Sequence, residues 1–145
     1  MPQVTVTVPG RPIPWARARQ SRSGGHFTAP RQAAYAALVR DTGLVAMRTA
    51  AREIAPTGTA VMFNVWWFLP WPKGTRKANR DTSAPMVGTP DVDNCLKMAL
   101  DSLTGIVFED DAQVSDTRVT KRYCPRGEER LVIEATWDSQ AEEGT

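Results

Sequence analysis

The chain has 145 residues, 41% of them hydrophobic and 23% charged, and a formal net charge of +2. That suits one domain with its own core and leaves little room for two. The strongest apolar run, residues 61–71, is interrupted by Asn64 and Pro70 and is too short to span a bilayer, so no membrane location is expected. Cys95 and Cys124 are too few for a disulfide framework. With a strand-like start in place of a basic and apolar leader, both are expected as reduced thiols in a cytosol. The charge is lopsided: residues 1–90 carry 12 Lys and Arg against Asp41, Glu53 and Asp81, whereas residues 91–145 carry 6 against 13 acids. A basic half beside an acidic cluster suits an enzyme that grips a polyanion by its phosphates while a metal site acts on one of them.

Taken in chain order, Val4, Val6 and Val8 alternate with polar residues as in a half-buried strand. Residues 9–14, rich in Pro and Gly, break it, and residues 21–25 read as a mobile basic loop. Arg11, Arg17, Arg19, Arg22 and Arg31 occur where no acid relieves them, which points to nucleic-acid contact. His26, the one histidine, has no paired ligand and is expected to be a phosphate contact or a surface residue. An alanine-rich pattern predicts a helix over residues 30–54, weakened at Gly43. The β-branched and aromatic stretch 59–69 predicts the central strand. Trp66, Trp67 and Trp71 are expected in core and loop packing, not as a base-stacking platform, because they sit in or just past that strand. Residues 73–80 are polar and aperiodic, the composition of a loop that orders only on DNA; Lys73, Arg76, Lys77 and Arg80 are its candidate phosphate contacts.

After Pro90 a second helix is expected, capped by Asp93 or Asn94 and ended by Gly105. Leu96, Leu100 and Leu103 fall on one stripe, the expected core face, while Asp93, Lys97 and Asp101 form another about 90° away. Asp91, two residues before Asp93, can point the same way in an extended approach to the helix. Glu109, Asp110 and Asp111 follow, then a strand over 113–123 and a hairpin partner over 130–137. Seven carboxylates thus crowd residues 89–117. Such crowding is costly unless a cation relieves it, and oxygen-only donors favour Mg²⁺, Mn²⁺ or Ca²⁺ over zinc. Asp91, Asp93 and one of the later acids are expected to converge from two chain segments. The reading is α+β, a small mixed or antiparallel sheet of about four strands with two main helices, in one domain over 1–138, followed by a flexible tail over 139–145. A calcium-binding module without catalysis is disfavoured by the lack of a regular EF-hand loop. Carboxylates at adjacent loops and element ends suit metal-dependent phosphodiester chemistry, but they do not encode the shape of the nucleic acid that is cut.

Pro90-Asp91-Val92-Asp93-Asn94, Lys97, Asp101-Ser102-Leu103 and Asp110-Asp111-Ala112-Gln113-Val114 together resemble the motif of RusA-type Holliday junction resolvases, in order and in spacing. The resemblance implies a small homodimeric α+β endonuclease, phage or prophage derived, that resolves four-way DNA junctions by paired nicks in recombination and repair. It implies Mg²⁺ as cofactor, with Mn²⁺ as a substitute. By motif position Asp91, Asp93 and Asp111 are the metal-binding catalytic acids, Asp110 a further candidate ligand and Lys97 the essential basic residue, with Asn94 and Asp101 supporting them. The chain departs from the pattern in Thr89, where a basic residue often stands, and in the long loop before it. For the dimer contact, the apolar strand Val65 to Leu69 and the helix Ala33 to Met47 are the candidates.

Overall fold

The computed structural model describes residues 1–15, 19–20, 26–27 and 30–138. Arg17, Arg22, loop 21–25 and tail 139–145 lie outside the described residues, as do the side chains of Arg19 and His26. In chain order the elements are β1 (Gln3–Pro9), β2 (Arg19–Gln20), β3 (His26–Phe27), α1 (Pro30–Thr49), β4 (Val61–Pro70), the single turn α2 (Lys77–Arg80), β5 (Ala84–Pro85), α3 (Val92–Leu103), a 3-10 turn (Asp111–Gln113), β6 (Val114–Cys124) and β7 (Arg130–Trp137). The protein is α+β as expected: α1 and α3 pack on one mixed sheet of order β1-β7-β4-β6-β5, whose edge strand β5 is two residues long, and β2 pairs with β3 apart from it.

Strand periodicity of two explains most of this layout. On β1, Val4, Val6 and Val8 are buried and their neighbours exposed; on β7, Leu131, Ile133, Ala135 and Trp137 are buried in turn. The outer pair β1 and β7 is antiparallel and in continuous register from Gln3↔Thr136 to Pro9↔Arg130. β4 buries Val61, Phe63, Val65, Trp67 and Leu69 on the helix-covered face, and Phe63 meets Phe108 edge to face with ring centroids 5.7 Å apart.

The expected hairpin of 113–123 with 130–137 does not form. β4 lies between those strands, antiparallel to β7 and parallel to β6. β4 is the most apolar strand and takes the centre, where both neighbours satisfy its backbone. A parallel β4/β6 pair requires a crossover connection, and α3 is the helix that makes it.

Two further expectations are corrected by the helix packing. Gly43 does not weaken α1. It is buried where α1 crosses α3, and a Cβ there would sit 2.6 Å from Leu103 Cδ2. So close an approach leaves room for no side chain at position 43; the buried face of α3 is Cys95, Met98, Ala99, Ser102 and Leu103, with Leu96 and Leu100 half-buried and packed against the core at its margin. Ser102 enters that face because its hydroxyl donates to the Met98 carbonyl at 2.7 Å, leaving no orphan polar group. α1 ends at Thr49, short of residue 54. The polar 73–80 segment contains the α2 turn, secured by Thr75 Oγ1 donating to the Pro72 carbonyl and Thr82 Oγ1 to that of Asn79, both at 2.7 Å.

Gly43→Val should lower folding stability by about 3 kcal/mol, the upper part of the range for overpacking a core. Gly43→Ala should cost less, since about 1 kcal/mol of helix propensity offsets the clash. Urea denaturation of the two variants measures both; a Gly43→Val protein as stable as the parent would mean that the helices do not meet there.

Candidate active site

The N-terminal end of α3 is held from β6. Lys121 is half-buried and its Nζ donates to the carbonyls of Gly88 at 2.6 Å and Pro90 at 2.7 Å, on either side of Thr89. The peptide leading into Asp91 is thereby tied to the sheet. Asp91 is the N-cap of α3, in place of Asp93 or Asn94, yet its side chain makes no capping bond. Asp93 is in the first turn, and both carboxylates are exposed at the positive end of the helix dipole, while Asn94 beside them is half-buried. Cys95 reports on their proximity. Burial pushes its thiol up to about 12, Lys121 opposing the rise and Asp91 and Asp93 adding to it.

Along the exposed edge of α3 the expected stripe is present, but its charges do not pair. Lys97 is exposed and makes no ion pair or hydrogen bond with a described residue. Asp101 instead accepts at Oδ2 from Trp15 Nε1 at 2.7 Å, across 86 positions of sequence. At the other end of the helix, Arg40 on α1 donates through Nη1 to the carbonyls of Ser102 at 3.1 Å and Thr104 at 3.4 Å, placing a cation where the dipole is negative.

The Asp-Asp-Ala-Gln segment divides its labour. Asp110 caps the 3-10 turn, its Oδ1 accepting from the Ala112 N–H at 2.9 Å. Gln113 closes the reciprocal half of this capping box: its Oε1 accepts from the N–H groups of Glu109 and Asp110, both at 2.9 Å. Its Nε2 faces three carbonyls of the loop after α1, Ala55 at 3.3 Å, Pro56 at 2.9 Å and Thr59 at 3.0 Å. Asp111, between these two engaged residues, is exposed. The Asp110 side chain, within hydrogen-bonding reach, raises the Asp111 pKa above that of an ordinary aspartate; slight desolvation and the charges of Asp110 and Asp101 add to the rise, and the Ala112 N–H opposes it.

The structure therefore brings Asp111 to Asp110 and Asp101, and Asp91 with Asp93 to Lys121 and Cys95. The expected convergence of Asp91, Asp93 and a later acid on one point does not form, because the acids are set at opposite ends of α3: Asp93 and Asp101 are roughly 12 Å apart along the helix at 1.5 Å per residue, and among the described residues no group of three carboxylate, imidazole or thiol side chains is arranged to hold a metal ion. The donor chemistry nonetheless fits a hard divalent cation: every candidate is an exposed oxygen donor, and Asp111 is crowded by like charge that a cation would relieve. Of the basic candidates, Arg11, Arg31 and Lys73 line one groove together with Thr89 and Pro90, next to Asp91. Arg76, Lys77 and Arg80 are exposed at the α2 turn.

Sequence reasoning passed over Lys121, Trp15 and the role of Gln113. Asp110 and Gln113 carry the spacing of a capping box, a signal open to sequence reading. The partners of Lys121 and Trp15 are distant in sequence and left no local trace.

Gln113→Glu keeps the shape of the side chain but turns a carboxylate oxygen toward three carbonyls. It should lower stability by roughly 2 kcal/mol, the scale of one lost donor plus one unsatisfied polar site. A urea midpoint unchanged from the parent would mean that Gln113 does not tie these two segments together.

The sequence profile of the family described as Endodeoxyribonuclease RusA matches residues 9–135, which spans the sheet from the end of β1 and every site residue above. The chain is also 30% identical over 138 residues to the uncharacterized protein YqaN of Bacillus subtilis (strain 168), covering 90% of this chain and 94% of that protein. The chain belongs to the RusA endodeoxyribonuclease family.

Proposed function

We propose that the protein is a Mg²⁺-dependent endonuclease that resolves four-way DNA junctions by paired nicks, serving recombination and repair of phage or prophage DNA in a bacterial cytoplasm. One observation carries the reading: in a chain of an endodeoxyribonuclease family, exposed carboxylates stand at both ends of one helix edge, and between them is Lys97, unpaired among the described residues. Asp91 and Asp93 would hold an ion at one end of that edge and Asp111, with Asp110 as a further oxygen donor, at the other, with Mn²⁺ as a substitute. When bound, the ion supplies charge neutralisation at the scissile phosphate and lowers the pKa of water toward neutrality. Lys97 offsets the negative charge that grows on the phosphate during in-line attack. Asp101, held by Trp15, keeps that edge acidic, and Lys121 holds the backbone from which Asp91 projects.

A four-way junction has near two-fold symmetry, so paired nicks call for two chains, and an isologous homodimer supplies them. Val65, Trp67 and Leu69 are consumed by the protomer's own core. The sheet face without helices remains: Met62 is exposed there, and Trp66 and Phe68 are half-buried, with Arg130 lying 3.9 Å over the Phe68 ring. That face is the dimer contact in this reading.

Cleavage of a labelled four-way junction, a flap and a plain duplex, each with Mg²⁺ or EDTA, tests the activity. The junction should be cut in paired nicks with Mg²⁺ and not with EDTA. Asn in place of Asp91, Asp93 or Asp111 should slow cutting by roughly 10²-fold or more while junction binding is kept or tightened, since a negative charge facing a polyanion is removed. Cutting of the flap alone would give the site another branched substrate, and an Asp variant that cuts at the parental rate would leave the catalytic set. Light scattering tests the dimer: the parent should have the mass of two chains and Trp66→Glu the mass of one. A monomeric parent that still resolves junctions without pairing on DNA would contradict it.

A further inference from the structure

A second feature lies beyond the acidic edge, at the end of the sheet where β4 and β6 both finish. A groove of about 740 Å³ opens there, and its lining combines aromatic rings with cations. Trp71 and Tyr123 stack with ring centroids 4.4 Å apart and planes 21° apart. Trp71 is fixed by Nε1 donating to the Thr82 carbonyl at 2.9 Å. Arg11, Arg31, Lys73 and Arg126 also line the groove; all four are exposed, and none of their side chains bonds to a described residue. The acid in the lining, Glu129, is drawn back by the Gly127 N–H, which donates to its Oε2 at 2.8 Å.

Cations alone would track any phosphate backbone. Stacked aromatic side chains among them add a surface for the π-face of a base, and a base in a duplex keeps that face hidden. The groove also leads to the acids. Tyr123 is two residues past Lys121 on the same face of β6, roughly 7 Å along the strand, and Lys121 holds the carbonyl of Pro90, the residue before Asp91. Thr89 and Pro90 themselves line the groove.

We propose that this groove binds one unpaired DNA strand, its phosphates on Arg11, Arg31, Lys73 and Arg126 and a base against the Trp71–Tyr123 stack, and delivers it toward Asp91. The direction of delivery rests on the nuclease reading above; the binding does not. Such a groove favours branched DNA because nucleotides at a branch point are free to unstack, while those of a plain duplex are not. It also gives Trp71 more than the loop-packing role expected from sequence.

Fluorescence anisotropy of a labelled ten-nucleotide oligothymidylate, in EDTA so that no cutting intervenes, tests the groove on the full chain. Trp71→Leu should weaken binding about tenfold, with Trp71→Phe recovering most of it and the affinity for a ten-base-pair blunt duplex unchanged. Lys73→Ser and Arg126→Ser, at exposed positions that spare the core, should each lower the log–log salt slope by about 0.7. Unchanged oligothymidylate binding in Trp71→Leu, or unchanged slopes in both serine variants, would overturn the proposal. Equal weakening of duplex and single strand in Trp71→Leu would overturn it too, because no base is then stacked. Parental protein that binds oligothymidylate through Trp71 yet cuts no branched DNA contradicts the nuclease reading alone. Parental protein that cuts junctions while every groove variant binds normally contradicts the groove alone.

Discussion

The Gln113 carboxamide is the point on which the arrangement depends. Five backbone groups from two chain segments converge on it, two N–H groups of residues 109–110 and three carbonyls of residues 55–59. A second tie joins the same segments, since the Ala55 N–H donates to the Val107 carbonyl at 2.8 Å. Together they fix the loop after α1 against the exit from α3, at the point where β6 begins. A side chain that both donates and accepts is required, which only an amide of this length supplies. Asp110 is spent on the cap of the same turn, and Asp111 beside it is exposed.

The acids at the other end of α3 are placed by different means. Lys121 reaches from the sheet to the carbonyls flanking Thr89, and Asp91 follows as an N-cap whose own carboxylate is uncommitted. The close contact of α1 and α3 at Gly43 sets how the helix lies between these two anchors. The exposed edge of Asp93, Lys97 and Asp101 is thus held by core packing on one side and by backbone anchors at both ends. Charge separation along the chain becomes charge separation in space: cations at the groove and the α2 turn, carboxylates along α3 and at the 3-10 turn.

What was legible in the sequence follows from the range of the interactions concerned. Alternation revealed β1 and β7, the latter to the residue, because burial on a single sheet face is a local pattern. Helical periodicity placed Asp93, Lys97 and Asp101 on one exposed edge, and Gly105 takes the positive φ that ends the helix. The stripe of Leu96, Leu100 and Leu103 lies against the core, with Leu103 fully buried, but the centre of the buried face is turned toward Cys95, Met98, Ala99 and Ser102. The hairpin misjudged the sheet, since nothing local announces that β4 will be inserted between β6 and β7. The Asp101–Trp15 and Lys121–Pro90 contacts are distant in sequence and beyond any periodicity argument.

The fold holds Asp111 exposed and crowded by like charge, a setting that a bound cation would relieve. Carbon-detected NMR titration of the Asp111 carboxyl, with and without Mg²⁺, tests it most directly. Without the ion the pKa should lie above that of an ordinary aspartate, because the Asp110 side chain and the charge of Asp101 favour the protonated form, and it should fall clearly when Mg²⁺ is added, because a cation favours the ionised form. An ordinary aspartate pKa that Mg²⁺ leaves unmoved would contradict it.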